Sequence, residues 1–384
     1  MNELMELENL HSTGLYPKRP IQLVRGKGTK VWDSEGKELI DCGTGIGVAA
    51  FGHCNEFINN AIKKQLDTLA TCHESFYNDT RAKAMQKLLS FAPKNLQKVF
   101  FSNSGAEAIE AGIKISRAVS KKTEILSATH GFHGRTYGAL SATWKKAYRE
   151  PFEPLVPDFK FFEYNSIESF KEAVSEKTAA VIIEPIQGEA GVIPADKEFL
   201  KAMREICTQK NIFLIADEIQ CGFGRTGKFF AFEHYGIQPD IITLGKPIAG
   251  GIPMAATILR SDFELPEKSH GSTFGGNPLA CSAMLACLEF ISKENLLEKI
   301  SEKGDRFLQG LRGINSPIVR EVRGKGLMIG VELKRKASDY LKALNDEGVI
   351  AMPSGTTTLR FLPPYTISNG EIDSVLKAVE KVLK

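Results

Sequence analysis

Residues 211–227 read "NIFLIADEIQCGFGRTG" and residues 240–251 read "DIITLGKPIAGG". Each carries a short apolar run, the first closing on Asp217 and the second on Gly245 and Lys246. Outward from this pair, strand-like and helix-like stretches alternate. "KVFFS" precedes a helix opened by "NSGAEAIEAGIKISRAV", "EILSAT" precedes a loop, "AAVIIEP" follows a helix, and "FLKAMREICTQK" leads into "IFLIADE". Such alternation predicts an α/β fold with a mostly parallel sheet covered by helices on both faces. Ligands of such sheets bind beyond the carboxyl ends of the strands, where Asp217 and Lys246 fall.

Residues 21–41 read as short strands separated by Gly and Asp turns, and the apolar spacing is helical over 55–70 and 80–89. After a helix near 279–292 the character changes to that of a smaller α+β unit. The division expected is an N-terminal segment, 1–50, belonging to the small domain. A large domain at 51–285 follows, and 286–384 supplies the rest of the small domain.

At 384 residues the chain has room for about two or three domains. Hydrophobic residues at 42% and charged residues at 25% fit a soluble globular protein. A net charge of +3 gives no argument for a nucleic-acid or membrane partner, and neither is expected. The start, "MNELMELENL", is acidic and lacks the basic and apolar regions of a secretory signal. No apolar stretch approaches the roughly 18 residues of a membrane span. Seven cysteines without regular spacing read as reduced thiols, so a cytoplasmic location is expected.

Lys246 after one strand and Asp217 after another suit an aldehyde cofactor. Pyridoxal phosphate needs a lysine for the Schiff base and a carboxylate that keeps its pyridinium nitrogen charged. In "FFSNSGAEAIE" a glycine-containing turn opens a helix, and the N–H groups at Ser104, Gly105 and Ala106 are candidates for holding phosphate. A plain N-cap by Ser104 is the simpler alternative. "THGFHGRTYGALSATW" offers Phe132 to stack on a planar ring and Arg135 as a fork for a carboxylate. His130 and His133 lack the further ligands of a metal site, and no metal is expected. In "IIEPIQGEAG", Glu184 and Glu189 are either an acid/base pair, a pocket wall or solvated loop charges. Ser272 and Thr273 in "HGSTFGGNPLA" either bind phosphate or substrate or form a local turn. Arg360 in "TTLRFLPP" sits inside a strand-like run and needs an acidic partner. Gly222, Gly224 and Gly227 fit G-x-G-x-x-G, but "KFFAFEHYG" does not continue as an amphipathic helix, which weighs against a dinucleotide site.

Together and in this order, the motifs resemble the class III pyridoxal-phosphate aminotransferases of fold type I, from Pro17 to the C-terminus. The resemblance implies Lys246 as Schiff-base lysine and proton shuttle, Asp217 as partner of the pyridine nitrogen, and Gln220 near the ring hydroxyl. It implies phosphate contacts from the backbone of Gly105 and Ala106, stacking by Phe132, and Thr273 supplied across a dimer interface. Arg135 is implied for the substrate carboxylate. Glu189 is implied to mask Arg360 until a dicarboxylate displaces it.

"SGAEAIEAGIK", "FHGRTYGALSATW", "EPIQGEAGVIPA" and "STFGGNPLAC" look like the acylornithine and acyllysine branch of the class. "YPKRPIQLVRGKGTKVWD", "YREPFEPLVP" after Trp144, and "VREVRGKGLMIGVELK" are most similar to enzymes of a carrier-protein pathway of lysine and arginine. Their substrate is lysine or ornithine whose α-amine is joined to the γ-carboxyl of the carrier's terminal glutamate. Ala106 stands where the commoner pattern has Thr, and Ile109 where it has Asn.

What the resemblance implies is a cytoplasmic homodimer with shared active sites. It would exchange an amine between an α-N-acylated diamino acid and 2-oxoglutarate or glutamate. An acidic amino-group carrier protein is a partner the resemblance allows; Lys18, Arg19, Arg25, Lys27 and Lys30 with Lys145, Lys146 and Arg149 are either a basic rim to meet it or a set of solvated surface charges. Free N-acetylornithine is the alternative substrate. A nicotinamide-dependent dehydrogenase and a non-catalytic binding protein are the alternatives outside the class.

Overall fold

The computed structural model describes residues 2–384. Strands β1 (Leu23–Lys27), β2 (Lys30–Asp33) and β3 (Glu38–Asp41) form a short antiparallel ladder. The chain then lays down β4 (Leu96–Ser102), β5 (Glu124–Ala128), β6 (Phe159–Phe162) and β7 (Thr178–Ile183). A small ribbon of β8 (Ile186–Gln187) and β9 (Ile193–Pro194) leads to β10 (Phe213–Asp217), β11 (Ile241–Leu244) and β12 (Ala255–Arg260). Seven of these strands make one sheet in the order β4-β12-β11-β10-β7-β5-β6, with β12 antiparallel to both of its neighbours. The pairs β11–β10, β10–β7, β7–β5 and β5–β6 are all parallel, as the alternation of elements predicts.

Side chains of successive strand residues point to opposite faces, which divides the core in two. Ile125, Ile182, Ile215 and Ile241 meet Ile109 and Ile113 of the helix Gly105–Ser120. Leu126, Val181, Leu214 and Ile242 join the larger core, to which the helix Lys197–Lys210 contributes Phe199, Leu200 and Met203. Strands buried on both faces read as unbroken apolar runs, and this is why the polar residues at their ends stand out in the sequence.

Beyond the helix Pro278–Lys293, β13 (Val319–Lys325), β14 (Met328–Leu333), β15 (Val349–Ile350), β16 (Met352–Ser354) and β17 (Thr358–Phe361) follow. Four of them form a second sheet, β13-β14-β17-β16. The fifth, β15, pairs in parallel with β3, so the N-terminal and C-terminal stretches share a sheet.

The helix expected over 55–70 ends at Leu66, where the N–H groups of Thr68 and Leu69 turn back onto the Gln65 carbonyl. Leu66 and Leu69, whose spacing prolonged the expected helix, are exposed rather than packed on the core. The glycine pattern after β10 opens no α-helix; a single 3-10 turn at Ala231–His234 follows it. Buried Glu218 gathers that loop by accepting the N–H groups of Ala231 and Phe232, each at 2.8 Å. Gly222 is glycine for packing, since a Cβ there would lie 2.6 Å from the Glu218 carbonyl oxygen. All seven cysteines are free thiols. No helix among the described residues is long and apolar enough to cross a membrane.

Candidate active site

Lys246 follows β11 at the carboxyl edge of the sheet and opens the 3-10 turn Lys246–Ala249 with φ of 45°. A left-handed backbone at a non-glycine residue costs on the order of 1–2 kcal/mol and persists only where the surroundings enforce it. The residue ahead of it is closely packed: a Cβ on Gly245 would lie 3.3 Å from Ile219 and 3.4 Å from the Cα of Gly105. The start of the helix Gly105–Ser120 therefore abuts the strand end that carries the lysine. Burial draws the Lys246 ammonium below the ordinary lysine range, while Glu189 pulls it back up. A lowered amine pKa enlarges the neutral fraction, the form that attacks a carbonyl.

Asp217, at the end of β10, is bound through Oδ2 to His133 Nδ1 at 2.7 Å, with side chains only 4% and 1% exposed. Its Oδ1 accepts the Ile219 N–H at 3.1 Å. The other nitrogen of His133, Nε2, is buried with no partner among the described residues. The two histidines of the "HGFH" run thus part company: His133 holds Asp217, and His130 lies against Trp144. Nothing in the one-dimensional spacing distinguishes them, and the role of His133 went unseen in the sequence. Glu184 is buried too, and burial pushes its carboxyl up to about 7. It accepts the N–H groups of Phe132 and Gly188, each at 3.0 Å. The reading of Glu184 as a solvated charge is thereby excluded.

Ser104 completes a capping box with Glu107, its hydroxyl accepting the Glu107 N–H at 3.3 Å. Its side chain is committed to the helix, while the N–H groups of Gly105 and Ala106 have no intrahelical acceptor. Gly105 admits nothing larger, because a Cβ would come within 2.9 Å of Ile219. Ser272 accepts the Gly275 N–H at 3.0 Å, which is the local turn, and takes a second bond from Asn103 Nδ2 at 3.2 Å. Thr273 beside it is exposed, next to Phe274 at 63% exposure.

Phe132 packs edge-on against Tyr148, and the Arg135 guanidinium lies 3.6 Å from the Tyr148 ring centre. Arg135 is exposed and has no carboxylate within ion-pair distance among the described residues. Arg360, by contrast, is 1% exposed in the interior of β17. Its Nη1 donates to Glu189 Oε1 at 2.6 Å, Gln220 Oε1 at 2.9 Å and the Gly188 carbonyl at 3.1 Å. The Glu189 side chain is 32% exposed, so the acid can leave while the arginine cannot. The Gln220 carbonyl oxygen, implied to lie near a ring hydroxyl, is here an acceptor for Arg360.

A cavity of about 420 Å³ opens between Phe132, Trp144, Tyr148, Glu189 and Pro353. A larger one, of about 700 Å³, is lined by Arg204, Asp240 and Arg260. That cavity lies at the amino ends of β10 and β11, and its Asp240 is already paired with both arginines. The smaller cavity is walled by Phe132 and Glu189, whose direct partners are Glu184 and Arg360, and we take it as the mouth of the site.

A family described as aminotransferase class-III matches residues 15–383. The chain is 44% identical to an acetylornithine aminotransferase of Methanocaldococcus jannaschii, over 98% of this chain and 97% of that protein. It is 45% identical to the LysW-aminoadipate semialdehyde transaminase of Deinococcus radiodurans, over 98% and 89%. Among solved structures, the ornithine aminotransferase of Toxoplasma gondii ME49 superposes with a TM-score of 0.95 at 31% identity, covering 99% of this chain and 94% of that one.

Removing one member of a buried pair leaves the other without compensation. Asp217→Ala strips His133 Nδ1 of its partner while Nε2 has none among the described residues, and should cost about 1–3 kcal/mol of stability in the cofactor-free protein. Denaturant unfolding measures this; a loss under about 0.5 kcal/mol would contradict an interdependent pair.

Proposed function

The chain belongs to the class-III aminotransferases, a pyridoxal-phosphate-dependent family, and from that premise we propose its reaction. It moves the terminal amine of an α-N-acylated lysine or ornithine to 2-oxoglutarate, reversibly, giving a semialdehyde and glutamate. We favour an acyl group that is an acidic carrier protein, with free N-acetylornithine as the second reading. Support for both comes from relatives, whose names divide between LysW-linked semialdehyde transaminases and acetylornithine aminotransferases.

The residues present fit pyridoxal phosphate: a helix start with N–H groups to offer, an amine of lowered pKa, and a buried carboxylate. When bound, the cofactor supplies an aldehyde that condenses with amines and a ring that takes up electrons. Gly105 and Ala106 would hold its phosphate through backbone N–H groups. Phe132 would cover the ring face, and Asp217, oriented by His133, would keep negative charge at the pyridinium nitrogen. Lys246 in its neutral form would take the proton from the substrate's amine-bearing carbon and return it during product formation. Arg135, lacking an acidic partner of its own, would anchor the substrate carboxylate.

One observation carries the dual-substrate reading. A site that accepts first an amine-tipped chain and then a dicarboxylate must hide a positive charge reversibly. Buried Arg360 with a partly exposed Glu189 on it is such a device.

A second copy of the chain would complete the site. Thr273, outward-facing beside exposed Phe274, would reach the partner's phosphate, and exposed Phe76 and Tyr77 would be covered. We place residues 1–50 with 286–384 in a small domain against the large one at 51–285, and the enzyme in the cytoplasm. For the carrier, Lys145 on the cavity rim has no acidic partner among the described residues, whereas Lys18, Lys30 and Lys146 are paired with Glu8, Glu38 and Glu150. The effective basic rim is therefore narrower than the sequence implied.

Glu189→Ala should leave the half-reaction with glutamate near wild type and slow that with the acylated diamine at least about tenfold, because Arg360 then stays unmasked. Equal changes in the two half-reactions would refute the masking role. With a carrier-linked substrate, kcat/KM should fall steeply as salt rises, since oppositely charged surfaces steer the encounter. An acetylated substrate should respond far less, and equal salt dependence would shift the assignment to free N-acetylornithine.

A further inference from the structure

Glu184 stands at the end of β7, between β5, whose following loop carries Phe132, and β10, which ends on Asp217. Each of its carboxylate oxygens is committed to a different loop. Oε1 accepts the N–H of Phe132 and Oε2 the N–H of Gly188, both at 3.0 Å. Gly188 then presents its own carbonyl to Arg360 Nη1 at 3.1 Å and to Ser354 Oγ at 2.7 Å. One buried carboxylate thus ties the aromatic wall to the loop on which Arg360 and Glu189 meet.

There is little slack in this chain of contacts. A Cβ on Gly188 would lie 2.3 Å from Gln220 Oε1, and that same oxygen holds Arg360. Close-packed interiors pass displacements on instead of absorbing them. When Glu189 leaves, Arg360 Nη1 keeps only Gln220 and the Gly188 carbonyl, so any shift of the guanidinium pulls on Gly188. Glu184 grips Gly188 at its N–H and Phe132 with its other oxygen. The carboxylate also lies within electrostatic reach of His133, Asp217 and Lys246.

We propose that Glu184 is a positioning residue that couples the state of the Arg360–Glu189 pair to Phe132, so that the aromatic wall of the cavity differs between the amine-accepting and dicarboxylate-accepting forms. This rests on the dual-substrate reading above. In its ionised form the carboxylate is suited to the task because it offers two acceptors to two N–H donors. A carboxamide offers one acceptor and confronts the other donor with N–H, which releases one loop.

Glutarate, a dicarboxylate with no amine or keto group to exchange, tests the coupling in the holoenzyme. In wild type, glutarate should change the visible circular dichroism of the bound cofactor. In Glu184→Gln it should still bind, with Kd within about fivefold, while most of that change is lost. Glu184→Asp, which keeps both acceptors on a shorter arm, should recover part of it. A full wild-type change in Glu184→Gln overturns the proposal. Should that variant fail to fold, wild-type amide exchange decides: glutarate should alter exchange at Phe132 by about fivefold or more. An unchanged Phe132 amide overturns the coupling. If glutarate fails to bind wild type, or binds Arg360→Lys as tightly, the dual-substrate reading falls and the coupling with it. Those outcomes are distinct from binding without a spectral change.

Discussion

Burying Asp217 at the end of β10 requires a partner, and His133 supplies it at 2.7 Å. A carboxylate taken out of water costs several kcal/mol unless a donor compensates, so the two residues stand or fall together. The pair has further consequences. His133 reaches Asp217 only if the loop after β5 folds back over the sheet edge, and that fold-back places Phe132 beside the site. Glu184 fixes the same loop from β7. With two acids this close, burial raises the Glu184 carboxyl, and the neighbouring Asp217 charge adds to the effect. Lys246 completes the set, held among the described residues without a hydrogen-bonded acid, which suits the proposed exchange of partners at its amine.

The position of this cluster follows from topology. Parallel strands β10, β11 and β7 end at one edge, so side chains just past their last apolar residues converge although they are far apart in sequence. The helix start at Gly105 comes to the same edge because β4 runs in the same direction as β11 and the helix turns back beneath the sheet. Arg360 arrives from elsewhere, on a strand of the second sheet, where it is buried and held by Gln220, Gly188 and Pro353. The pocket is thus a joint between two sheets. One side fixes the lysine and its acids, the other the arginine.

Much of this was legible in the sequence because it is written in local patterns. Apolar runs buried on both faces, with a polar residue at the end, gave the order of strands and picked out Asp217 and Lys246. The capping box at Ser104 and the turn at Ser272 are also local, and in both cases the simple turn chemistry holds for the side chain. What was illegible depends on long-range contact. His133 lies 84 positions from Asp217, and its imidazole differs in no sequence feature from that of His130. Glu184 and Glu189 are alike as letters; one is sealed under two loops, the other a third exposed on an arginine. Helix length near Leu66 was overestimated because periodic leucines do not reveal whether a core lies beneath them.

Lys246 is the amine proposed to hold the cofactor. Borohydride reduction of the purified holoenzyme, followed by peptide mapping, tests it directly, since reduction makes the lysine–aldehyde linkage permanent. A pyridoxyl label is expected on the peptide containing Lys246 and on no other lysine. A label elsewhere, or a catalytically active enzyme that takes no label, would contradict it.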